Sequence, residues 1–171
     1  MLTIFQAEKP EDVNTARELI TEYAARLEFN LCFQGFDEEM RSLPGKYAAP
    51  AGRLLLGLWD GKPAAVIALR PLEEEGLCEM KRLYVRPGFR GHNIGRLLAE
   101  RIISTAASIG YSRMKLDTIA GKMDRAIAMY RELGFVETNP YYQTPVGETL
   151  FMELALTPAE KSSSGHRLQV S

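Results

Sequence analysis

The chain has 171 residues, 46% of them hydrophobic and 25% charged, and a formal net charge of −1 from 21 basic and 22 acidic side chains. That length suits one domain able to bury a core without staples, and the balanced charge leaves no basic surplus for a nucleic-acid backbone. No run approaches the ~18 apolar residues of a membrane span, and the first residues lack a signal-peptide layout, so a cytoplasmic protein with neither nucleic-acid nor membrane partners is expected.

Leu2–Ala7 reads as an opening strand. Between Asp12 and Leu27 the residues Val13, Ala16, Ile20, Tyr23, Ala24 and Leu27 share one helical stripe, with Pro10 and Glu11 at its start. A short helix is expected around Asp37–Ser42, closed by Leu43-Pro44-Gly45. Arg53–Trp59 and Pro63–Arg70 are apolar runs joined by Asp60-Gly61, a pair suited to the two positive-φ positions of a type I′ hairpin turn. Leu77–Val85 follows as a third strand, beyond a turn that carries Glu73, Glu74 and Glu75.

After Val85 the period changes. Ile94, Leu97, Leu98, Ile102, Ala106 and Ile109 form an apolar helical face that stops at Gly110. Arg113–Thr118 alternates as a strand should, and Met123, Ala126, Ile127, Tyr130 and Leu133 make another helical stripe ended by Gly134. Phe135–Glu137 and Thr149–Leu156 complete the strands. This order predicts an α+β fold: a mixed, mostly antiparallel sheet of about six or seven strands with helices on both faces. A strand–helix–strand unit from Leu77 to Thr118 would be right-handed, with its two strands parallel. The domain is expected over 1–157, with 158–171 as a loose, serine-rich tail.

Two cysteines, Cys32 and Cys78, are too few for a disulfide framework, and two histidines, His92 and His166, leave no histidine cluster for catalytic zinc. No metal site is expected. Cys78, in an apolar strand-like run, reads as a small buried hydrophobe rather than a nucleophile. Trp59 reads as core. The acidic runs Asp37–Glu39 and Glu73–Glu75 read as solvated surface. Tyr141 and Tyr142 either wall a substrate site or pack a turn.

The segment Arg90-Gly91-His92-Asn93-Ile94-Gly95-Arg96 lies between the end of a strand and the start of a helix. First-turn amides of a helix have no internal partner and carry partial positive charge. Glycines let those amides approach an anion closely, and Arg90 and Arg96 add forked charged donors. The spacing is neither GxxxxGK[ST] nor GxGxxG, which disfavours triphosphates and dinucleotides.

This turn resembles the [Q/R]-x-x-G-x-[G/A] acyl-CoA signature of the GNAT superfamily of N-acetyltransferases. Arg90 matches the first position and Gly95 the last, while Asn93 replaces the usual glycine; asparagine tolerates left-handed backbone better than most residues. The strand Cys78–Val85 and the segment Ala126–Phe135 are similar to other conserved parts of the family, and the likeness spans about Leu2 to Leu156.

The resemblance implies acetyl-CoA as cosubstrate, with pantetheine along backbone of Leu83, Tyr84 and Val85. The pyrophosphate would lie among Arg90, Gly91, His92, Asn93, Ile94, Gly95 and Arg96. It implies Tyr130 as the acid beside the CoA sulfur, although Tyr130 also lies on the apolar stripe and could be core. Glu79 is implied as the base that deprotonates the amine, with an ion pair to Lys81 as the alternative. Strand alternation would set Glu79 on the same face as Lys81, Leu83 and Val85. Met123 stands where many members have a CoA-contacting asparagine. The expected reaction is acetyl transfer to the primary amine of a small molecule; a protein lysine or N-terminus, or CoA binding without catalysis, are the alternatives. Homodimers are common in the family.

Overall fold

The computed structural model describes residues 1–27 and 35–158. Cys32, His166 and the expected tail beyond Pro158 lie outside the described residues.

The seven strands are β1 (Leu2–Gln6), β2 (Arg53–Trp59), β3 (Lys62–Pro71), β4 (Leu77–Val85), β5 (Arg113–Ile119), β6 (Val136–Glu137) and β7 (Thr149–Ala155). They form one sheet in the order β1-β2-β3-β4-β5-β7-β6, and every pair is antiparallel except β4·β5. Helices α1 (Pro10–Arg26) and α2 (Phe36–Ser42) cover one face, while α3 (Ile94–Ile109) and α4 (Asp124–Glu132) cover the other. This is the expected mixed fold. The hairpin turn takes φ of 48° at Asp60 and 79° at Gly61, as a type I′ turn requires.

Each sheet face has its own core because strand side chains alternate. Leu55, Ala65, Ile67, Leu69, Met80, Met114, Leu116 and Met152 pack with Ile94, Leu98 and Ile102 of α3. On the opposite face Leu54, Leu56, Val66 and Ala68 pack with Ala16, Leu19 and Ile20 of α1. Cys78 is fully buried, and burial pushes its thiol up to about 12, which keeps it protonated and unreactive at neutral pH. Trp59 is only half-buried at the end of β2, and its ring stacks on His92 with centroids 4.4 Å apart.

Two relationships in the sheet create the site. The parallel β4·β5 ladder runs only from Leu77↔Arg113 to Glu79↔Lys115, after which the strands part. In addition, β4 carries one extra residue relative to β3: Ala68 pairs with Lys81 and Val66 with Tyr84. Arg82, inside this bulge, has φ of 60°. A left-handed conformation costs an arginine on the order of 1–2 kcal/mol, so it persists only where tertiary contacts hold it.

The bulge reverses which side chains face which core. Cys78 and Met80 face α3 before it; Leu83 and Val85 face α3 after it. Glu79 and Lys81 therefore point to the α1 face, opposite Leu83 and Val85. The expectation from simple alternation is corrected at this point.

Candidate active site

Where β4 and β5 part, a cleft of about 1030 Å³ opens. Its walls are β4 from Met80 to Val85, the turn Phe89–Arg96, β5 from Leu116 to Ile119, and the start and inner face of α4. Tyr23 and Arg26 of α1, with Tyr142 and Thr144 from the loop before β7, line the other side.

At one end the turn after β4 has the geometry of an anion cradle. Gly91 has φ of 91° and Asn93 has φ of 61° and ψ of 21°, so Asn93 does occupy the left-handed slot that a glycine would fill without strain. Leu97 donates its amide to the Asn93 carbonyl at 3.1 Å, leaving the amides of Ile94, Gly95 and Arg96 ahead of the helical ladder. A Cβ on Gly95 would meet only Val85 Cγ2, at 3.6 Å, and one on Gly91 would meet nothing within 4 Å. Gly91 is favoured by its positive φ, whereas at Gly95 the protein's own packing leaves room for a side chain, so the bare backbone there leaves the helix-start amides open to close approach. The cradle fits a pyrophosphate.

The charges around it are less simple than the sequence suggests. Arg90 folds back so that its Nε donates to the Val85 carbonyl at 3.3 Å. Arg96 binds Glu100 at 3.1 Å and Glu132 at 2.6 Å. Lys122 and Arg125 also line the cleft near the start of α4. His92 does not line it: its ring turns away onto Trp59 and fastens the turn to the β2·β3 hairpin.

Tyr130 lines the cleft from α4. Its ring is buried against Phe135, with centroids 5.7 Å apart, yet its hydroxyl forms no hydrogen bond with the described residues. The core and functional roles set out for it from sequence are compatible in this geometry. Burial raises its pKa, with further upward pressure from Tyr23 and Asp117, so the phenol stays protonated.

Glu79 is placed differently from expectation. It is fully buried and does not line the cleft. Its carboxylate accepts from Arg70 Nε at 2.7 Å, from the Tyr141 hydroxyl, and lies 3.8 Å from Lys81 Nζ. The neighbouring Tyr142 hydroxyl donates to Asp117 on β5. Tyr141 and Tyr142 stack edge-on against Phe151 of β7, with centroids 5.3 and 5.1 Å away. Consecutive tyrosines thus tie one loop to both strands that flank the opening. They pack a turn and, through Tyr142, also wall the cleft.

Glu39 shows why an acidic run cannot be dismissed from sequence. It accepts from Arg82 Nε at 3.0 Å, from Arg82 Nη2 at 3.2 Å and from the Tyr47 hydroxyl at 2.8 Å. Together with Phe36, whose ring lies 5.4 Å from the guanidinium carbon, it holds the residue at the centre of the bulge. No local signal pairs Glu39 with a residue 43 positions away.

Comparison with known proteins agrees with this architecture. The Acetyltransferase (GNAT) family profile matches residues 17–135, most of the chain. The chain belongs to the GNAT family. It is 35% identical to an uncharacterised N-acetyltransferase of Schizosaccharomyces pombe over 157 residues, 91% of this chain and 96% of that one. It is 29% identical over 124 residues to an N-acetylaspartate synthetase of Mus musculus, covering 68% of this chain and 41% of that protein. In fold it is similar to YncA of Salmonella typhimurium, solved with acetyl-CoA, with a TM-score of 0.66, 22% identity, and 91% and 94% of the two chains covered. It is accordingly an acetyltransferase of the GNAT fold.

Proposed function

We propose that the protein transfers the acetyl group of acetyl-CoA to the primary amine of a small molecule, by direct attack of the amine on the thioester. The observation that carries this reading is the parting of β4 and β5 beyond Glu79↔Lys115, with the anion cradle at one end of the opening and Tyr130 on its wall. A pantetheine arm laid in the opening would replace the missing ladder, using backbone groups of Leu83, Tyr84 and Val85. The amides at the start of α3, with Arg90 and Arg96, would bind the pyrophosphate. The relative that carries N-acetylaspartate in its name supports a small acceptor in preference to a protein.

Tyr130 would serve the departing sulfur. A thiolate with a pKa of about 8.5 is less basic than a phenolate at about 10, and burial widens that gap. Full proton transfer from Tyr130 would run uphill. The role that fits is a hydrogen bond donated to the sulfur as negative charge builds there, with the thiolate's proton finally coming from the nitrogen of the tetrahedral intermediate once the free amine has attacked. Glu79, off the cleft and bound by Arg70 and Tyr141, is assigned to positioning: it fixes Lys81 and the Tyr141–Tyr142 loop. The amine would lose its proton to water in the cleft.

The test is thiol release from acetyl-CoA across a panel of small amines, alongside calorimetric titration with acetyl-CoA. Binding with turnover of at least one small amine supports the reading. Binding without any turnover would leave a CoA-binding module, and acetylation only of peptides would point to a protein acceptor.

A further inference from the structure

We infer that the acceptor amine carries a carboxylate, and that Lys81 and Arg82 select it. This rests on the acetyl-transfer reading above and names the substrate class of the same site.

The cleft has two chemically different sides. The α3/α4 side offers the anion cradle and Tyr130. On the α1/α2 side the charged residues that line it, among those described, are Arg26, Lys81, Arg82 and Asp117. Three cations face one carboxylate. The acids that restrain the cations, Glu39 and Glu79, stand behind them and do not reach the cleft. Among the described residues this side of the cleft therefore carries more basic than acidic groups, although Lys81 and Arg82 each have an anchor.

Burial sharpens the argument. The Lys81 side chain is 6% exposed and that of Arg82 is 3% exposed. Taking a cation out of water costs several kcal/mol unless anions and hydrogen bonds replace the lost hydration. Glu79 Oε1 lies 3.8 Å from Lys81 Nζ and also accepts from Arg70 Nε at 2.7 Å. Burial correspondingly lowers the Lys81 pKa, with Glu79 opposing. An incoming carboxylate would face Lys81 and Arg82 from the cleft side, opposite Glu79 and Glu39. Arg82 is held by Glu39 and Phe36 at a strained φ, so its guanidinium is preorganised beside the cleft.

Asp117 completes the pattern. It lies two residues beyond the last β4·β5 pair on the strand facing Lys81, and its charge acts on that lysine. The carboxylate and ammonium of an α-amino acid are separated by a single carbon. A zwitterion set between Lys81 and Asp117 meets opposite charge at both ends, whereas a polyamine would press a second cation against Arg26, Lys81 and Arg82.

The experiment compares kcat/KM for L-alanine, L-aspartate and L-glutamate with L-alaninamide, n-propylamine and putrescine, with acetyl-CoA affinity measured separately. The carboxylates should exceed L-alaninamide and n-propylamine by about tenfold or more, the scale of one charged hydrogen bond. Lys81→Gln should raise KM for the amino acid by about tenfold while kcat changes little, and should shrink the preference over the amide. Should Lys81→Gln fail to fold, Arg26→Gln, at an exposed position, should still raise KM for amino acids and not for n-propylamine. Equal or better turnover of the amide, n-propylamine or putrescine overturns the inference while leaving small-amine acetylation intact. Acetylation of peptides alone, no turnover of any amine, or no binding of acetyl-CoA would defeat the underlying reading instead.

Discussion

Glu79 and Val85 lie on one strand, an even number of residues apart, yet face opposite sides of the sheet because Arg82 between them is left-handed. This puts the buried acid under the α1 face and the Leu83 and Val85 side chains on the α3 face. Glu79 is thus a structural anion for Arg70, Lys81 and Tyr141. Glu79→Gln should lower unfolding free energy by about 3 kcal/mol, the scale of breaking a buried ion pair, as measured by urea denaturation. The acidic limb of the pH–kcat profile should stay in place in that variant. A shift of that limb would return Glu79 to the role of base.

Tyr130→Phe removes one hydroxyl that bonds none of the described residues, so folding should be preserved. The turnover number should fall by about a hundredfold, with acetyl-CoA affinity within about twofold of wild type. Unchanged kcat would reduce Tyr130 to a core residue.

At Asn93 the backbone is left-handed and no side-chain cap is formed. Asn93→Gly should therefore stabilise the turn or leave it neutral, within about 1 kcal/mol, and acetyl-CoA should bind at least as tightly. A weakening beyond about fivefold would mean that the asparagine side chain itself holds the cofactor. Gly91→Val, at φ of 91°, should do the opposite and weaken both stability and binding.

Alkaline pH should unfold the protein early. Burial raises the pKa of Tyr23 to about 12 and also raises those of Tyr47, Tyr130 and Tyr141. A folded pKa above the unfolded value means that the unfolded chain releases its protons first. The contribution is whole below pH ~10 and declines as pH rises towards the folded values, by up to about 1.4 kcal/mol per pH unit for each tyrosine. Lys81, whose pKa is lowered, works in the other direction but is one group against these four tyrosines, with Cys78 and Tyr111 on their side. Melting temperature should fall steeply above pH ~10; a flat profile to pH 11.5 would refute the burial of these hydroxyls.

Much of this protein was legible in order of residues alone. Apolar spacing located the helix from Ile94 to Ile109 and the strand from Leu77 to Val85, and Asp60-Gly61 declared its turn, because these depend on periods and dihedral preferences within a few residues. The glycine-and-arginine turn after Val85 likewise marked the start of a helix at Ile94, since helix-start signals need only local sequence. Which way side chains face could not be read that way. The extra residue at Arg82 exists through pairing with β3 and through Glu39, contacts 13 or more positions distant in sequence, and it reverses every inference from alternation beyond it. The same is true of His92 stacked on Trp59 and of Tyr141 bonded to Glu79. Sequence determined the elements and the chemistry of the turn; only tertiary pairing decided which charges border the cleft, because a one-residue bulge costs little locally and its sense is set by what packs on either side.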